Sequence, residues 1–529
     1  MDFANLFKAF IGVNYLSIAF SIGQSGIALG IIGLFLISTA TVHGCHLLIK
    51  CKRAVIKRIL DAELSRAVTG DDDDDGDRSG RGAVQRRRLL NELIEKRLSY
   101  GDVAFLTLGR AGLALVNFSL VVTQFGFCVN YFIFLGNTFD QMFPMRWANA
   151  TGFPPTVSTS LSPVPNSSVP NSPVPISPVP ISPDVLVSNS PGYYILVLVP
   201  LPLFILFSYL RSIRHMGPIS VVANLSVLVG YIAMLTYLLK DFEVSKEAAW
   251  FNWSTFPVFF GQVTASYEGI GTIIPIESSM EGSHHLFAPL LYLAVAVFTS
   301  VLASMGFLGY LKLGKQTAQV LLWNLAPGST LELVVGLVVC IGVVFTFPLQ
   351  CFPIIEVAEE LLFSPGKCCG PPRPETSINV DGGSSTVEEE FDREVEFKGM
   401  SKALEEEGDR QALLHDPYIT NILNKLPVAS TVPDSVSTWR RNAVRTLIVL
   451  IQLGCAYGLK DQFAYFAALT GAIGSTMLAY VIPAVLHLKL KRRELGVLII
   501  AKDIFLIVFG IVGGAAGIYA SILSIIRNQ

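Results

Sequence analysis

The chain has 529 residues, of which 51% are hydrophobic and 15% charged, and its formal net charge is −2. A soluble protein of this length carries nearer a quarter charged residues, because it must cover a water-facing surface. Here the charges fall in blocks, separated by uncharged stretches such as 334–347 and 504–526. This pattern excludes an ordinary soluble domain, and the near-neutral charge gives no reason to expect nucleic acid as a partner.

Apolar runs of roughly 20 residues match the hydrocarbon thickness of a bilayer and predict membrane-spanning helices. We expect eleven spans, near 4–22, 26–50, 112–139, 193–211, 218–240, 255–275, 286–311, 330–362, 442–459, 462–488 and 497–524. The connections after spans two, four and ten carry basic clusters that begin at Lys50, Arg211 and Lys489. All three lie on one side if the N-terminus is cytoplasmic, as the positive-inside rule requires. The sequence therefore predicts an all-α integral membrane protein with a cytoplasmic N-terminus.

Three long connections separate the spans. We expect a cytoplasmic loop at 51–110, a proline-rich outer loop at 140–192 and a cytoplasmic loop at 364–440. Residues 61–99 contain an acidic run and a basic cluster and are most simply a solvated linker. The repeated Ser-Pro-Val-Pro units at 154–183 have no apolar period and predict extended chain.

Two kinds of short motif fall in the connections. Asn149, Asn166 and Asn252 head glycosylation sequons in connections that are non-cytoplasmic in this topology. Asp409, Leu413 and Leu414 fit the acidic dileucine pattern that sorting adaptors bind, on the cytoplasmic side. Adaptors are thus a candidate partner, and the pattern favours an endolysosomal membrane, with the plasma membrane as the alternative.

Spans one and six have unusual interruptions. Span one contains Gly12, Val13, Asn14 and Tyr15, and span six contains Glu268, Gly269, Ile270, Gly271 and Pro275. Glycine and proline disfavour helix interiors, and freed backbone groups are tolerated at membrane depth only where they line a cavity. Interrupted spans five helices apart are typical of an inverted five-plus-five repeat with broken helices. The alternative is that these glycines allow close helix packing.

A few side chains inside the spans carry possible chemistry. A carboxylate such as Glu268 within a span usually marks a pathway or a proton site. Its alternative is a hydrogen-bonded structural carboxyl that stays neutral. We expect His43 and His46 to be interfacial, with proton handling as the less favoured role. The small-residue stretches at Gly471–Ser475 and 513–517 predict packing faces.

The sequence resembles the proton-coupled amino-acid transporters of the amino acid/auxin permease group. The likeness covers nearly all of the membrane part and is carried by residues 5–12, 42–48, 123–128, 267–271 with Pro275 and Glu277, 308–310 and 346–353. It implies a LeuT-like fold with an eleventh helix and a substrate pocket between spans one, three, six and eight. The two repeats would then be 1–240 and 255–488, followed by the eleventh span in 497–529. The expected substrate-binding residues are Gly12, Val13, Asn14, Tyr15, Thr123, Gly269, Ile270, Gly271 and Thr346.

Two positions depart from the family pattern. The histidine that is tied to proton coupling in this family is replaced by Asn5, which cannot take up a proton near neutral pH. A second glycine of span one is replaced by Asn14. We therefore assign proton coupling to Glu268, with sodium left open as an alternative ion.

We predict a secondary active transporter that carries small neutral amino acids with protons by alternating access. The alternative is an amino-acid sensor that signals through its cytoplasmic loops with little or no flux. The sequence contains no nucleotide loop, metal-ligand cluster or nucleophile motif, so we predict neither an enzyme nor a bound cofactor.

Overall fold

The computed structural model describes residues 2–10, 12–70, 91–92, 94–96, 98–143, 145–148, 185–188, 190–211, 217–280, 284–326, 329–363, 436–492 and 495–527. Its α-helices, in chain order, are α1 (Asp2–Phe10), α2 (Ile18–Ser25), α3 (Ile27–Gly70), α4 (Tyr100–Leu108), α5 (Arg110–Met142), α6 (Tyr193–Leu196), α7 (Leu201–Ser208), α8 (Gly217–Leu239), α9 (Phe256–Ser266), α10 (Ile270–Ser279), α11 (Phe287–Leu313), α12 (Thr330–Phe363), α13 (Thr438–Gly458), α14 (Phe463–Thr470), α15 (Ile482–Lys491) and α16 (Val497–Arg527). Two π-helical stretches, Gly471–Ser475 and Met477–Val481, join α14 to α15.

Seven helical stretches in the described residues are long and apolar enough to cross a membrane. They lie at Ile27–Asp61, Arg110–Met142, Val221–Leu239, Phe287–Gln316, Thr330–Phe363, Phe463–Lys491 and Val497–Arg527. A shorter apolar stretch, Tyr193–Ser208, contains α6 and α7. The chain is therefore a helical integral membrane protein, as the composition predicts.

The second predicted span continues well beyond its predicted end at residue 50. Helix α3 runs to Gly70, and residues 91–92 and 94–96 are also helical, so the prediction of a linker over 61–99 is wrong at both of its ends. The extension has an apolar face, because Val55, Ile56 and Leu60 are buried. Helix α4 adds another helical segment within the predicted 51–110 loop.

The predicted fourth span is not one continuous helix. Turns at residues 197–200 separate α6 from α7. Pro200 and Pro202 lie at this junction, and proline lacks the amide hydrogen that a continuous helix needs.

A pair of short strands departs from the purely helical expectation. Strand β1 (Met145–Ala148) pairs antiparallel with β2 (Val185–Ser188), and Met145 lies opposite Ser188. The strands flank the proline-rich part of the predicted outer loop and bring its two ends together.

Close contacts at glycines join α9 to α14 and to the π-helical stretch Gly471–Ser475, and join that stretch to α16. A Cβ on Gly261 would overlap the carbonyl of Ala468, and one on Gly471 would overlap the carbonyl of Gly261. A Cβ on Gly517 would lie 2.9 Å from that of Ala472. These contacts confirm both predicted small-residue packing faces, because no larger side chain fits where the backbones meet.

Candidate substrate site

The first predicted interruption is centred on Gly12. Helix α1 ends at Phe10, and Gly12 is extended, with φ −149° and ψ −179°. A single 3-10 turn, Val13–Leu16, then leads into α2. The Asn14 carbonyl accepts both the amide and the hydroxyl of Ser17, so this turn is closed on itself.

The second interruption lies between α9 and α10. Residues 267–269 are not helical, and α10 begins at Ile270 after Gly269. The first amides of a helix have no acceptor within it. The break therefore presents N–H groups at the positive end of the α10 dipole, which is a favourable place for a carboxylate.

The two interruptions touch one another. A Cβ on Gly269 would lie 2.5 Å from the carbonyl oxygen of Ala9, so the second break rests on the end of α1. On the other side, the Gln262 amide donates to the Ser17 hydroxyl at 2.6 Å and joins α9 to the start of α2. A Cβ on Gly12, in contrast, would have no neighbour within 4 Å. The structure thus brings the breaks together and leaves open space beside Gly12.

Glu268 lies in the second break and is half-buried. Its Oε2 atom is buried and has no hydrogen-bond partner among the described residues. The Ser475 hydroxyl faces this carboxyl, and among the described residues it too is buried without a hydrogen bond of standard geometry. Because buried polar atoms are nearly always hydrogen-bonded, this pair is poised to bind an ion or a polar ligand.

The π-helical stretches are the part of this site that sequence reasoning missed. Gly471–Ser475 was predicted only as a packing face, yet its turns are also wider than those of an α-helix. Such π-helical turns are frequent at functional sites. The only signal in the sequence was a glycine- and alanine-rich composition, which also fits plain helix packing.

The three predicted hydroxyl ligands bond to helix carbonyls. Thr123 donates to Ser119 at 2.9 Å and would collide with any side chain at position 474. Thr346 donates to Gly342 at 2.7 Å. Tyr15 is fully buried and donates to the Val227 carbonyl at 3.3 Å.

The remaining predicted ligands lie at the breaks themselves. Val13 and Ile270 are buried, and Asn14 is half-buried. Position 271 faces helix α5, since a Cβ on Gly271 would lie 3.5 Å from Leu120. The structure therefore brings together the backbone candidates, while the hydroxyl candidates are engaged with backbone.

An ionic cluster that the sequence analysis did not predict joins α3 to the end of α10. The Lys52 ammonium lies 2.7 Å from Glu277 Oε2 and donates to the Ser278 hydroxyl at 2.7 Å. Arg53 lies 2.7 Å from the other Glu277 oxygen. Lys52 and Glu277 are fully buried, whereas the Arg53 side chain is 54% exposed.

We refer to the end of the helices that carries Lys50, Lys52, Arg53, Lys489 and Lys491 as the basic face.

A second ionic cluster holds α12 against α13. Glu359 accepts from Arg441 and from Arg445, each at 2.6 Å. Arg445 is buried and also donates to the Ser208 carbonyl at 2.8 Å, which adds the end of α7. Both clusters join segments far apart in sequence, so spacing alone did not reveal them.

Several predicted sites lie outside the described residues. They are the sequon residues Asn149 and Asn166, the dileucine residues Asp409, Leu413 and Leu414, and the side chain of Asn5. Asn252 is described and half-buried, and its backbone N–H donates to the Ser25 carbonyl at 2.8 Å. Its side-chain oxygen accepts from Ser254 at 2.9 Å.

Helices long enough to cross a membrane, and two broken helices that meet beside a buried carboxyl, define an integral membrane protein with an internal polar site. A family model described as "Transmembrane amino acid transporter protein" matches residues 1–61 and 85–523. The chain belongs to this family, which is one of transporters and not of enzymes.

Relatives from plants and yeast agree with this assignment. The chain is 24% identical to the amino acid transporter AVT3C of Arabidopsis thaliana over 528 residues, which cover 99% of this chain and 90% of that protein. It is 25% identical to AVT3B of the same plant over 69% of this chain and 72% of that protein. It is 24% identical to the vacuolar amino acid transporter 4 of Saccharomyces cerevisiae, over 74% of this chain and 44% of that protein.

Proposed function

We propose that this protein is a secondary active transporter that moves small neutral amino acids together with protons. The observation that carries the proposal is the contact between the two helix breaks, with Glu268 in the second one, whose Oε2 atom has no hydrogen-bond partner among the described residues. Membership of an amino-acid transporter family supplies the substrate class. The family and the relatives give no support to the sensor alternative.

The breaks provide complementary ends for an amino acid. The N-terminal amides of α10 suit the carboxylate, and carbonyls freed where α1 ends suit the ammonium. The open space beside Gly12 accepts a small side chain. In this proposal backbone at 12–15 and 269–271 binds the substrate, while Thr123 and Thr346 shape the walls of the pocket.

The architecture that we propose is a LeuT-like five-plus-five repeat with an eleventh helix. The repeats are 1–240 and 255–488, and each begins with a broken helix; α16 within 497–529 is the additional span. Substrate would reach the site from alternate sides as one group of helices rocks against the other. No cofactor is required beyond a co-transported ion.

For orientation, we propose that the basic face is cytoplasmic, in accordance with the positive-inside rule. The lumen of an acidic compartment then provides the protons. The vacuolar location named for the yeast relative favours an endolysosomal membrane over the plasma membrane.

The test is uptake of labelled glycine, alanine and proline into proteoliposomes, with and without an inward proton gradient. Glu268→Gln is compared with the intact protein, and Glu247→Gln, which removes an exposed carboxylate from a connecting segment, is the matched control. We expect Glu268→Gln to abolish gradient-driven uptake while it retains exchange of labelled for unlabelled substrate. Glu247→Gln should behave as the intact protein does.

The other outcomes separate the parts of the proposal. Uptake that ignores pH in the intact protein rejects proton coupling and makes sodium the next ion to test. Loss of exchange as well as driven uptake in Glu268→Gln assigns this carboxyl to substrate binding. Absence of uptake for all three substrates rejects the small neutral class.

A further inference from the structure

A second buried carboxylate lies away from the helix breaks, where three helices meet. Asp503 on α16 is fully buried, and its Oδ2 atom lies 2.6 Å from Nδ1 of His487 on α15. Its other oxygen, Oδ1, lies 3.9 Å from Nε2 of His43 on α3. One carboxylate thus faces imidazoles from two different helices.

The two sides of this cluster differ in their hydrogen bonding. His487 is within hydrogen-bonding distance of Asp503, whereas the distance from His43 Nε2 to Asp503 Oδ1 is about 1 Å too long for such a bond. Asp503 Oδ1 and His43 Nε2 are both buried and have no hydrogen-bond partner among the described residues. A purely structural His487–Asp503 pair accounts for one oxygen and leaves these two atoms unexplained.

We propose that Asp503, His43 and His487 form a proton-binding site, distinct from Glu268, whose occupancy depends on the position of α3. The proposal rests on the proton coupling proposed above. A proton on His43 gives Nε2 a hydrogen to donate, and a shift of about 1 Å would then close a charge-assisted bond to Asp503. Imidazole and carboxylate groups both take up protons, so the ligand that we propose is a proton.

Helix α3 connects this cluster to the transport site and to the basic face. Thr41 lies 3.3 Å from the Tyr480 hydroxyl in the second π-helical stretch, and Cys45 is close enough to Glu268 to interact with it electrostatically. Lys52, further along the same helix, is paired with Glu277. Any displacement of α3 that closes the gap at His43 therefore also moves its contacts with the second break and with the end of α10. Proton binding and helix position are then linked, and each biases the other.

Among the other titratable or charged groups, Lys50, Lys502 and His46 lie near His43, and Cys51 lies near Asp503. Lys491 lies near Cys51. Lys50 and Lys502 are both exposed. Asp503 is the fully buried acidic group of the cluster. The His46 ring lies 5.2 Å from that of Tyr292, against α11, so His46 serves as a matched control for His43.

The first experiment measures melting temperature of the purified full-length protein in detergent between about pH 5 and about pH 8, where imidazole titrates. The intact protein is compared with His43→Gln, Asp503→Asn and His46→Gln. We expect the stabilisation due to His43 to grow as the pH falls, because a proton bound more tightly in the folded state stabilises that state at acid pH. When His43→Gln is combined with Asp503→Asn, the pH-dependent difference should vanish. When His43→Gln is combined with His46→Gln, the difference should be retained. If Asp503→Asn fails to fold, the proposal is still decided by whether His43→Gln raises or lowers the melting temperature at acid pH.

A difference in melting temperature between the intact protein and His43→Gln that does not change with pH overturns the proposal. So does a difference that favours His43→Gln at acid pH, because His43 is then a buried neutral side chain that resists protonation. The melting measurement does not depend on transport, so it tests the proton site even if the intact protein carries none of the three labelled amino acids.

The second experiment is the pH profile of driven uptake. We expect His43→Gln to shift the pH of half-maximal uptake by about one pH unit, with little change in exchange. If Glu268→Gln abolishes driven uptake while His43→Gln leaves the profile unchanged, the proposed function stands and the second proton site is rejected.

Discussion

Substitution of Gly269 by alanine tests the contact that holds the two helix breaks together. The added methyl would lie 2.5 Å from the carbonyl oxygen of Ala9 and 3.0 Å from its carbonyl carbon. Real Cβ atoms almost never approach another atom within 3.0 Å, so the end of α1 must withdraw by roughly half an ångström. The obstacle is backbone, so no change of rotamer relieves it.

The cost can be bounded from the same geometry. Gly269 has φ −173° and ψ −4°, so its φ lies outside the left-handed region that favours glycine, and the penalty is worked from the contact with Ala9. Forcing one extra methyl into a packed region typically costs about 1–3 kcal/mol. At about 1.4 kcal/mol for each factor of ten, this lowers the population of the packed arrangement by roughly 5- to 150-fold.

Gly12→Ala is the matched control, since its methyl would have no neighbour within 4 Å and Gly12 is extended. The assay measures melting temperature in detergent and substrate exchange in proteoliposomes for both variants. We expect Gly269→Ala to lose thermal stability and most exchange, and Gly12→Ala to keep its stability. Intact stability and exchange in Gly269→Ala would refute the inference that the breaks are in contact.

Three further predictions concern residues away from that contact. Glu277→Gln leaves Lys52 buried and without its main counter-charge, so we expect the free energy of unfolding to fall by roughly 3–5 kcal/mol. Arg53→Ala removes a side chain that is half-exposed, so it should lower the free energy of unfolding by under about 1 kcal/mol. Thermal unfolding in detergent measures both, and equal losses would contradict the assigned burial. Asn252→Gln should remove an electrophoretic mobility shift produced by glycosidase treatment; a shift that survives in this variant places the glycan elsewhere. Tyr15→Phe removes one hydrogen bond to α8, so we expect a loss of about 0.5–1.5 kcal/mol with unchanged substrate affinity. A large rise in KM for uptake would instead make the Tyr15 hydroxyl a ligand.

The helix interruptions were predictable because their cause is local. Gly12 and Gly269 weaken a helix wherever they stand, and the membrane setting restricts the places where freed backbone is tolerated. The same holds for the helical class of the fold, which follows from apolar run length. The split between α6 and α7 has an equally local cause, since Pro200 and Pro202 lie at the junction, but a prediction from apolar run length alone does not take prolines into account.

The ionic and polar clusters could not be predicted because their partners are distant in the chain. Lys52 and Glu277 are separated by 225 positions, and a lysine after an apolar run is ordinarily an exposed orientation signal. His43 was expected at the interface, yet the carboxylate that it faces comes from the last helix. Pairings of this kind depend on the three-dimensional arrangement, which residue spacing does not encode.

The backbone contacts of Gly261 and Gly471 limit how the protein can move. Where side chains separate two helices, rotamer changes let the helices tilt or roll at modest cost. Here the main chain of α9 contacts the main chain of α14 and of Gly471–Ser475, so rolling either segment would press peptide groups together. We therefore expect α9 to move together with the π-helical stretch Gly471–Ser475. Any bending of the second broken helix is then expected at the non-helical residues 267–269.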